Sequence, residues 1–266
     1  MASKLVLITG ASSGIGEATA KRYGAAGAHV LLLARNAERL EGVARAVRAG
    51  GGTATAFPVD LASPEAIRDV AARISGEIGT PDLLINNAGA GRWLPFVDTT
   101  LEEAQATIEV PYLAAFNLTH AFVSAMIARG SGGIVFLSSP ASYVAWPNAA
   151  AYIASRRAVT GLAETLQTEL KRSGISVTLV ILGAVKGTGY WEHNPGSREN
   201  FPEPPPFVRD LTLEEAANAI FDGAEKKKSL VVKPGIFRAL FMLNALFPGL
   251  VASQLRRATK KARQQT

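Results

Sequence analysis

Short apolar runs alternate with longer segments of helical periodicity along most of the chain. A continuous apolar run is typical of a strand that is buried on both faces of a parallel sheet. Seven such runs predict strands, over residues 5–8, 28–34, 53–57, 82–86, 134–138, 175–182 and 229–233. Because helical segments separate these runs, we expect an α/β fold in which one domain holds a doubly wound parallel sheet.

Capping residues mark where several of the helices begin. Asn36 and Ser63 precede helical segments in the manner of N-caps, and Thr212-Leu213-Glu214-Glu215 has the pattern of a capping box. Two further periodic segments predict long helices over residues 101–129 and 149–171. Helices are therefore expected between successive strands, as parallel crossovers require.

The first strand leads into a turn of small residues, and a helical segment follows this turn. Its sequence is Thr9-Gly10-Ala11-Ser12-Ser13-Gly14-Ile15-Gly16. Glycines let the backbone turn tightly and approach a ligand closely, and the helix start offers N–H groups and a positive dipole end to a pyrophosphate. The G-x-x-x-G-x-G spacing is wider than the G-x-G-x-x-G fingerprint, so a turn without a ligand is the alternative.

Composition limits the kinds of site that the chain can hold. Hydrophobic residues make up 48% of the 266 residues and charged residues 19%, which is enough for a large core. Because there is no cysteine, disulfides and thiolate metal sites are excluded, and we predict no metal site. A signal-peptide pattern and a run of 18 apolar residues are both absent from the sequence, so we expect a cytoplasmic protein.

The basic charge is concentrated near one end of the chain. The net charge is +6 at pH 7, and residues 252–266 contribute five basic side chains and no acidic one. The rest of the chain is therefore close to neutral. This distribution does not indicate nucleic-acid binding, and we expect no nucleic-acid partner.

Several motifs stand together in the order and spacing of one enzyme family. They are the turn at residues 9–16, Asp60, the run Asn86-Asn87-Ala88-Gly89, Ser139 and Tyr152. Over roughly residues 4–233 the chain resembles the short-chain dehydrogenase/reductase family. The resemblance implies a Rossmann-type fold and hydride transfer between a nicotinamide cofactor and a small-molecule carbonyl or alcohol substrate. We divide the chain into a catalytic domain, residues 1–233, and a C-terminal helical extension, residues 234–266.

The resemblance also assigns a set of residues to the cofactor. They are Gly10, Ser12, Ser13, Gly14, Ile15, Gly16, Arg35, Asp60, Leu61, Asn87, Ala88, Gly89, Tyr152, Arg156, Gly183 and Val185. An NAD-preferring site has an acidic residue at the end of the second strand, where this chain has Ala34 and Arg35. A guanidinium binds a 2′-phosphate that a carboxylate would repel, so Arg35, assisted by Arg39, predicts NADP(H). The alternative is that Arg35 is a solvated charge at a helix start.

The catalytic residues follow from the same resemblance. Ser139 precedes Tyr152 by 13 residues, as in the family, and would hydrogen-bond the substrate carbonyl. Tyr152 would be the general acid in reduction and the general base in oxidation. Arg156 stands where the family has lysine, and the i, i+4 spacing keeps it on the Tyr152 face of the helix. It could bind the nicotinamide ribose and favour the phenolate of Tyr152, but it cannot pass on a proton as lysine can.

Two further residues depart from the family pattern. Pro111 stands where a relay asparagine is expected, and it should free the Thr107 carbonyl and bend its helix. Leu182 replaces the proline of a Pro-Gly turn after the sixth strand. Two functions therefore stay open: an NADP(H)-dependent carbonyl reductase or alcohol dehydrogenase, and a pseudo-enzyme that binds NADP(H) with an impaired proton relay.

Residues 183–211 are irregular and too long for a simple connection, and the family has its substrate lid there. Aromatic residues in and near this lid could wall a pocket for an apolar or aromatic substrate, with ordinary packing as the alternative. They are Trp93, Trp146, Tyr190, Trp191, Phe201 and Phe207. We expect His193 to be a surface residue of the lid.

Residues 234–266 extend beyond the family core. Apolar residues recur with rough helical periodicity up to Phe247, Pro248-Gly249 interrupts them, and a basic amphipathic segment follows. One interpretation is an interfacial helix that makes peripheral membrane contact. The other is packing on the core or on a subunit partner, and we expect a homodimer or homotetramer.

Overall fold

Seven parallel strands form one sheet in the order β3-β2-β1-β4-β5-β6-β7. The computed structural model describes residues 3–202 and 208–264, the last five of them as backbone only. The strands are β1 (Leu5–Thr9), β2 (His29–Ala34), β3 (Thr53–Pro58), β4 (Leu83–Asn86), β5 (Gly132–Ser138), β6 (Ile175–Leu182) and β7 (Leu230–Lys233). All neighbouring strands pair in parallel. The predicted Rossmann-type α/β fold with a doubly wound sheet in a single domain is confirmed.

Helices cover both faces of the sheet. They are α1 (Gly14–Ala25), α2 (Ala37–Ala49), α3 (Pro64–Glu77), α4 (Leu101–Ile108), α5 (Ala114–Arg129), α6 (Ala150–Glu169), α7 (Tyr190–His193), α8 (Leu213–Glu225), α9 (Ile236–Leu246) and α10 (Pro248–Gln264). Leu40 and Ile220 belong to the core on the face with α1, α2 and α8, and Ile67 and Phe122 to the core on the face with α3, α5 and α6. Strands buried on both faces explain the continuous apolar runs of the sequence.

The predicted caps are formed. The Asn36 side chain accepts from the Arg39 N–H at 2.8 Å, and Ser63 accepts from the Ala66 N–H at 3.1 Å. Thr212 and Glu215 cap each other reciprocally in a capping box. These local bonds fix where α2, α3 and α8 begin.

The single helix predicted over residues 101–129 is wrong in one respect, because a π-helical turn at Glu109–Leu113 separates α4 from α5. Pro111 lies inside this turn. It has no N–H to donate, and in an α-helix its ring would collide with the Thr107 carbonyl. A π-turn is one way for a helix to absorb this conflict.

Counted together, residues 101–129 are long and apolar enough to cross a membrane on length and composition alone. In this fold, however, α5 packs against α3 and β5, and buries Leu118, Phe122 and Met126 against the sheet. The apolar side of α5 is therefore used for packing on the sheet, whereas α4 buries only Thr107 and exposes most of its surface.

The end of β1 is tied to the turn that follows β4. The buried Thr9 hydroxyl accepts from the N–H groups of Asn87 (3.0 Å) and Ala88 (2.9 Å). The Asn87 side chain in turn donates to the Thr9 carbonyl at 2.8 Å. This exchange holds two predicted cofactor-binding segments, residues 9–16 and 87–89, against each other.

Replacing Thr9 by valine keeps the shape of the side chain but leaves the Ala88 N–H without its acceptor and the Asn87 N–H with only the Ile85 carbonyl at 3.1 Å. We expect Thr9→Val to lower the free energy of unfolding by about 1–3 kcal/mol. Thr9→Ser is the matched control, since it keeps the hydroxyl and loses only a methyl group, worth about 1 kcal/mol. Denaturant unfolding of the three proteins measures this, and a Thr9→Val variant as stable as the wild type would contradict the role of the hydroxyl.

Candidate active site

A cleft of about 1790 Å³ lies at the carboxyl ends of the strands, where the strand order reverses between β1 and β4. This is where ligands bind in doubly wound sheets. Every predicted catalytic and cofactor-binding residue lines it: Gly10, Ser12, Ser13, Gly14, Ile15, Gly16, Arg35, Asp60, Leu61, Asn87, Ala88, Gly89, Ser139, Tyr152, Arg156, Gly183 and Val185. Among the described residues, no group of three or more His, Asp or Glu side chains could hold a metal ion.

The glycine turn has the shape that close approach of a ligand requires. Gly10 and Gly14 adopt φ angles of 65° and 56°, which favour glycine. A Cβ on Gly16 would stand 2.2 Å from the Gly10 carbonyl oxygen, so no side chain fits there. Ser13 is the N-cap of α1 but makes no side-chain capping bond, which leaves the first turn of α1 available to an anion.

Two guanidinium groups face the end of β2. Arg35 directly follows β2 and Arg39 lies in the first turns of α2, and both are exposed and line the cleft. Neither forms a salt bridge within the described parts of the chain. Asp60 faces the same region after β3, where its carboxylate accepts from the Ala62 N–H at 3.1 Å. This end of the cleft therefore offers two cations to a phosphate group.

Ser139, Tyr152 and Arg156 share one wall of the cleft. Ser139 follows β5, and its Oγ accepts from the Ala141 N–H at 3.3 Å, which leaves its own proton to donate. Tyr152 and Arg156 lie on successive turns of α6, and the guanidinium carbon of Arg156 is 4.9 Å from the centroid of the Tyr152 ring. The predicted hydroxyl, phenol and cation therefore line one cleft, and the phenol ring and the cation are adjacent within it.

Arg156 is a buried cation, with only 7% of its surface exposed. Its Nε has no hydrogen-bond partner, and it forms no salt bridge with any described residue. A Cβ on Gly89 would stand 3.1 Å from Nη2 of Arg156 and 3.0 Å from the Pro111 ring. Arg156 therefore points toward the cofactor-binding turn beside the residue that replaces the relay asparagine. A buried, unsatisfied donor at this place fits a polar ligand in the cleft.

Ser138 is a positioning residue that the sequence did not predict. The buried Ser138 hydroxyl donates to the Arg156 carbonyl at 3.2 Å and lies 3.2 Å from the Thr160 hydroxyl. It thereby ties α6, which carries the phenol and the cation, to the end of β5. Because successive strand residues face opposite ways, Ser138 and Ser139 could have been assigned different roles from their positions alone.

Aromatic rings line the cleft on the side of Tyr152. The buried Trp93 ring contacts Phe201 edge to face (centroids 4.6 Å apart) and lies 5.8 Å from the Tyr152 ring. Tyr190 donates to the Gly91 carbonyl, and burial raises the pKa of its phenol above the ordinary value. Other predicted aromatics line the cleft as well, namely Trp146 and Trp191. His193 is exposed at the rim, and Phe207 lies outside the described residues.

The C-terminal extension forms part of the cleft wall, which the sequence did not predict. The Phe237 ring lies so close to Gly183 that a Cβ there would meet it at 2.8 Å. Phe241 stacks on Tyr143 with centroids 4.6 Å apart, and Asn244 donates to the Tyr143 carbonyl at 3.0 Å. The inner side of α9 therefore packs on the core, in agreement with the packing interpretation.

Known proteins resemble this chain in sequence and in fold. The family described as "short chain dehydrogenase" matches residues 4–197. An uncharacterized oxidoreductase of Mycobacterium tuberculosis is 41% identical over 188 residues, which cover 69% of this chain and 55% of that protein. The match thus spans about half the length of this relative.

Solved structures resemble the chain over most of its length. A short-chain dehydrogenase from Sphingobium yanoikuyae in complex with NADPH is 28% identical, with a TM-score of 0.79 over 93% of this chain and 94% of that one. NAD⁺-bound xylitol dehydrogenase is 26% identical, with a TM-score of 0.79 over 86% of this chain and 97% of that one. Fold, motifs and matches agree: the chain belongs to the short-chain dehydrogenase family of oxidoreductases.

Proposed function

We propose that this oxidoreductase uses NADP(H) and transfers a hydride between the nicotinamide and the carbon of a carbonyl or alcohol. The observation that carries the proposal is the shared cleft wall of Ser139, Tyr152 and Arg156. Arg35 and Arg39 at the other end of the same cleft support NADP(H), because two guanidinium groups suit a 2′-phosphate. Relatives bind either NADPH or NAD⁺, so this preference needs its own test.

The bound nicotinamide supplies the hydride in reduction and accepts it in oxidation. Ser139 donates a hydrogen bond from Oγ to the substrate oxygen and orients the carbonyl. Tyr152 would donate its phenolic proton to that oxygen, which is the proton that a carbonyl needs, together with the cofactor's hydride, to become an alcohol. Arg156 holds its positive charge next to the Tyr152 ring, where it stabilises negative charge left on the phenol oxygen.

A pseudo-enzyme that binds NADP(H) is the second candidate, and two side chains favour it. Arg156 cannot release a proton, and Pro111 has no side-chain donor or acceptor. Both lie against Gly89, so the altered positions are adjacent in space. If they form one defective relay, cofactor binding persists while turnover is slow.

The proposal also includes the substrate class, the extent of the catalytic domain, the location and the oligomeric state. The aromatic end of the cleft supports an apolar or aromatic substrate. We assign catalysis to residues 1–233, with a substrate lid at about residues 183–211, and we expect a cytoplasmic homodimer or homotetramer.

Arg35→Ala should weaken NADPH binding and leave NADH binding nearly unchanged. Loss of one charge-assisted contact costs roughly 1.5–3 kcal/mol, or about 10- to 150-fold in Kd. Titration of each cofactor against the protein measures this. Arg45→Ala is the matched control, since Arg45 is an exposed arginine of the same helix that does not line the cleft. Equal affinity of the wild type for NADPH and NADH would refute the preference.

Tyr152→Phe should abolish carbonyl reduction while NADPH still binds. The substitution deletes only the acidic hydroxyl, and a general acid typically contributes about 10²–10⁴-fold to the rate. Steady-state rates on a panel of ketones and aldehydes, with NADPH binding measured in parallel, provide the comparison. An unchanged rate would show that Tyr152 is not the acid. A wild type that binds NADPH and reduces no carbonyl would favour the pseudo-enzyme.

Restoring the family residues should raise turnover. Arg156→Lys with Pro111→Asn is expected to raise kcat more than the two single changes combined, because coupled positions are not additive. Pro111→Ala is the matched control, since it returns an N–H to the helix without a relay amide. If Pro111→Ala gives the same gain as Pro111→Asn, helix geometry and not a relay limits the rate. An unchanged kcat in the double variant would contradict the impaired relay.

A further inference from the structure

The outer side of the C-terminal extension presents large apolar side chains to solvent. Met242, Leu246, Phe247 and Leu250 are 68%, 66%, 57% and 55% exposed. The first three do not line the cleft, so neither the core nor the candidate active site accounts for them. A concentrated exposed apolar surface of this kind marks an interaction site.

The whole formal charge of the protein lies in the same segment. Residues 234–266 contain six basic side chains and no acidic one, whereas residues 1–233 contain 22 of each. Arg256 and Arg257 are exposed on α10 and form no salt bridge with a described residue. At 1.5 Å of rise per residue, Arg256 is about 9 Å along the helix from Leu250. The cations therefore lie within about two helical turns of Leu250 on α10.

Charge decides which partner fits this surface. A second copy of the chain would bring basic segments without any acid against each other, which is unfavourable, whereas an anionic lipid surface attracts them. The axes of Ile236–Leu246 and Pro248–Thr259 differ by 120°, so the segment is a bent pair of helices and not a straight span. Amphipathic helices with apolar and basic residues lie in the interface of a membrane.

The exposed surface is continuous with the cleft. Ile236, Leu243 and Leu250 line the cleft and are each more than 40% exposed. The exposed apolar surface therefore borders the same cleft that the aromatic side chains line. We propose that α9 and α10 dock the protein on an anionic membrane surface and hold the mouth of the cleft there, so that a lipid-dissolved carbonyl substrate enters from the bilayer. The second half of this proposal rests on the proposed function.

Co-sedimentation of the full chain with vesicles tests the docking. We expect binding to vesicles of phosphatidylcholine mixed with phosphatidylglycerol, and weak binding to phosphatidylcholine alone. Raising the salt from about 0.1 M to about 1 M should release the protein, since the Debye length falls from about 10 Å to about 3 Å. Wild-type protein that stays in solution with the anionic vesicles would overturn the proposal.

Variants locate the docking surface. The tail triple variant, Met242→Ser/Leu246→Ser/Phe247→Ser, should lower the vesicle partition coefficient at least about tenfold, because it removes the inserting side chains. Phe96→Ser/Val97→Ser/Leu101→Ser is the matched control, since these residues are 79–88% exposed elsewhere on the surface.

The charge of the extension is tested separately. Arg256→Gln/Arg257→Gln should weaken vesicle binding, while Lys227→Gln/Lys228→Gln, at the other end of β7, should not. A tail triple variant that changes the oligomeric state and not vesicle binding would identify an interface between copies and overturn membrane docking.

Two carbonyl substrates separate docking from substrate entry. Reduction of a long-chain aldehyde dissolved in anionic vesicles should fall at least about tenfold in the tail triple variant, in step with its vesicle binding. Reduction of a short, water-soluble aldehyde should be unchanged. Equal rates on the vesicle substrate for wild type and variant would overturn entry from the bilayer. If the wild type reduces neither aldehyde, the proposed function fails, and vesicle binding alone decides the docking.

Discussion

The reversal of strand order between β1 and β4 is the constraint on which the site depends. It opens a crevice at the carboxyl ends of the strands, and every predicted site residue lies on its walls. The buried Thr9 hydroxyl closes this arrangement by accepting from Asn87 and Ala88, so the glycine turn and the turn after β4 are held as one unit. The two segments predicted to bind the cofactor, residues 9–16 and 87–89, are therefore positioned by the sheet.

The buried Arg156 shows how α6 accommodates an unusual residue. A charge with little solvent contact and no carboxylate partner among the described residues is costly to bury. Its guanidinium points toward the Gly89 turn, where polar groups of a bound cofactor could satisfy it. Pro111 is adjacent, and the π-turn around it shapes the helix at that place. Where the family has lysine and asparagine, this chain has Arg156, a permanently charged donor, and Pro111, an apolar ring. Both side chains lie next to Gly89.

Local signals in the sequence predicted most of the fold and the site. Apolar runs located the strands, and the caps at Asn36, Ser63 and Thr212 are formed by side chains that bond to the nearest backbone groups. The family motifs located the residues that line the cleft. What the sequence could not provide depends on contacts between distant segments. Ser138 acts through α6, and α9 reaches the cleft where Phe237 packs on Gly183. The disturbance at Pro111 was predictable from the sequence, but its form as a π-turn was not.

The position of α9 also links the outer surface to the chemistry. Phe237 touches Gly183, which is a predicted cofactor-binding residue, while Phe241 and Asn244 hold Tyr143 on the substrate side of β5. Interiors are close-packed, so a displacement of α9 cannot be absorbed without moving one of these contacts. A movement of α10 at a lipid surface would therefore be transmitted through α9 to Gly183 and Tyr143, by way of Phe237, Phe241 and Asn244. If the chain docks on a membrane as proposed, docking and catalysis would share α9 as a structural element, without a separate signalling pathway.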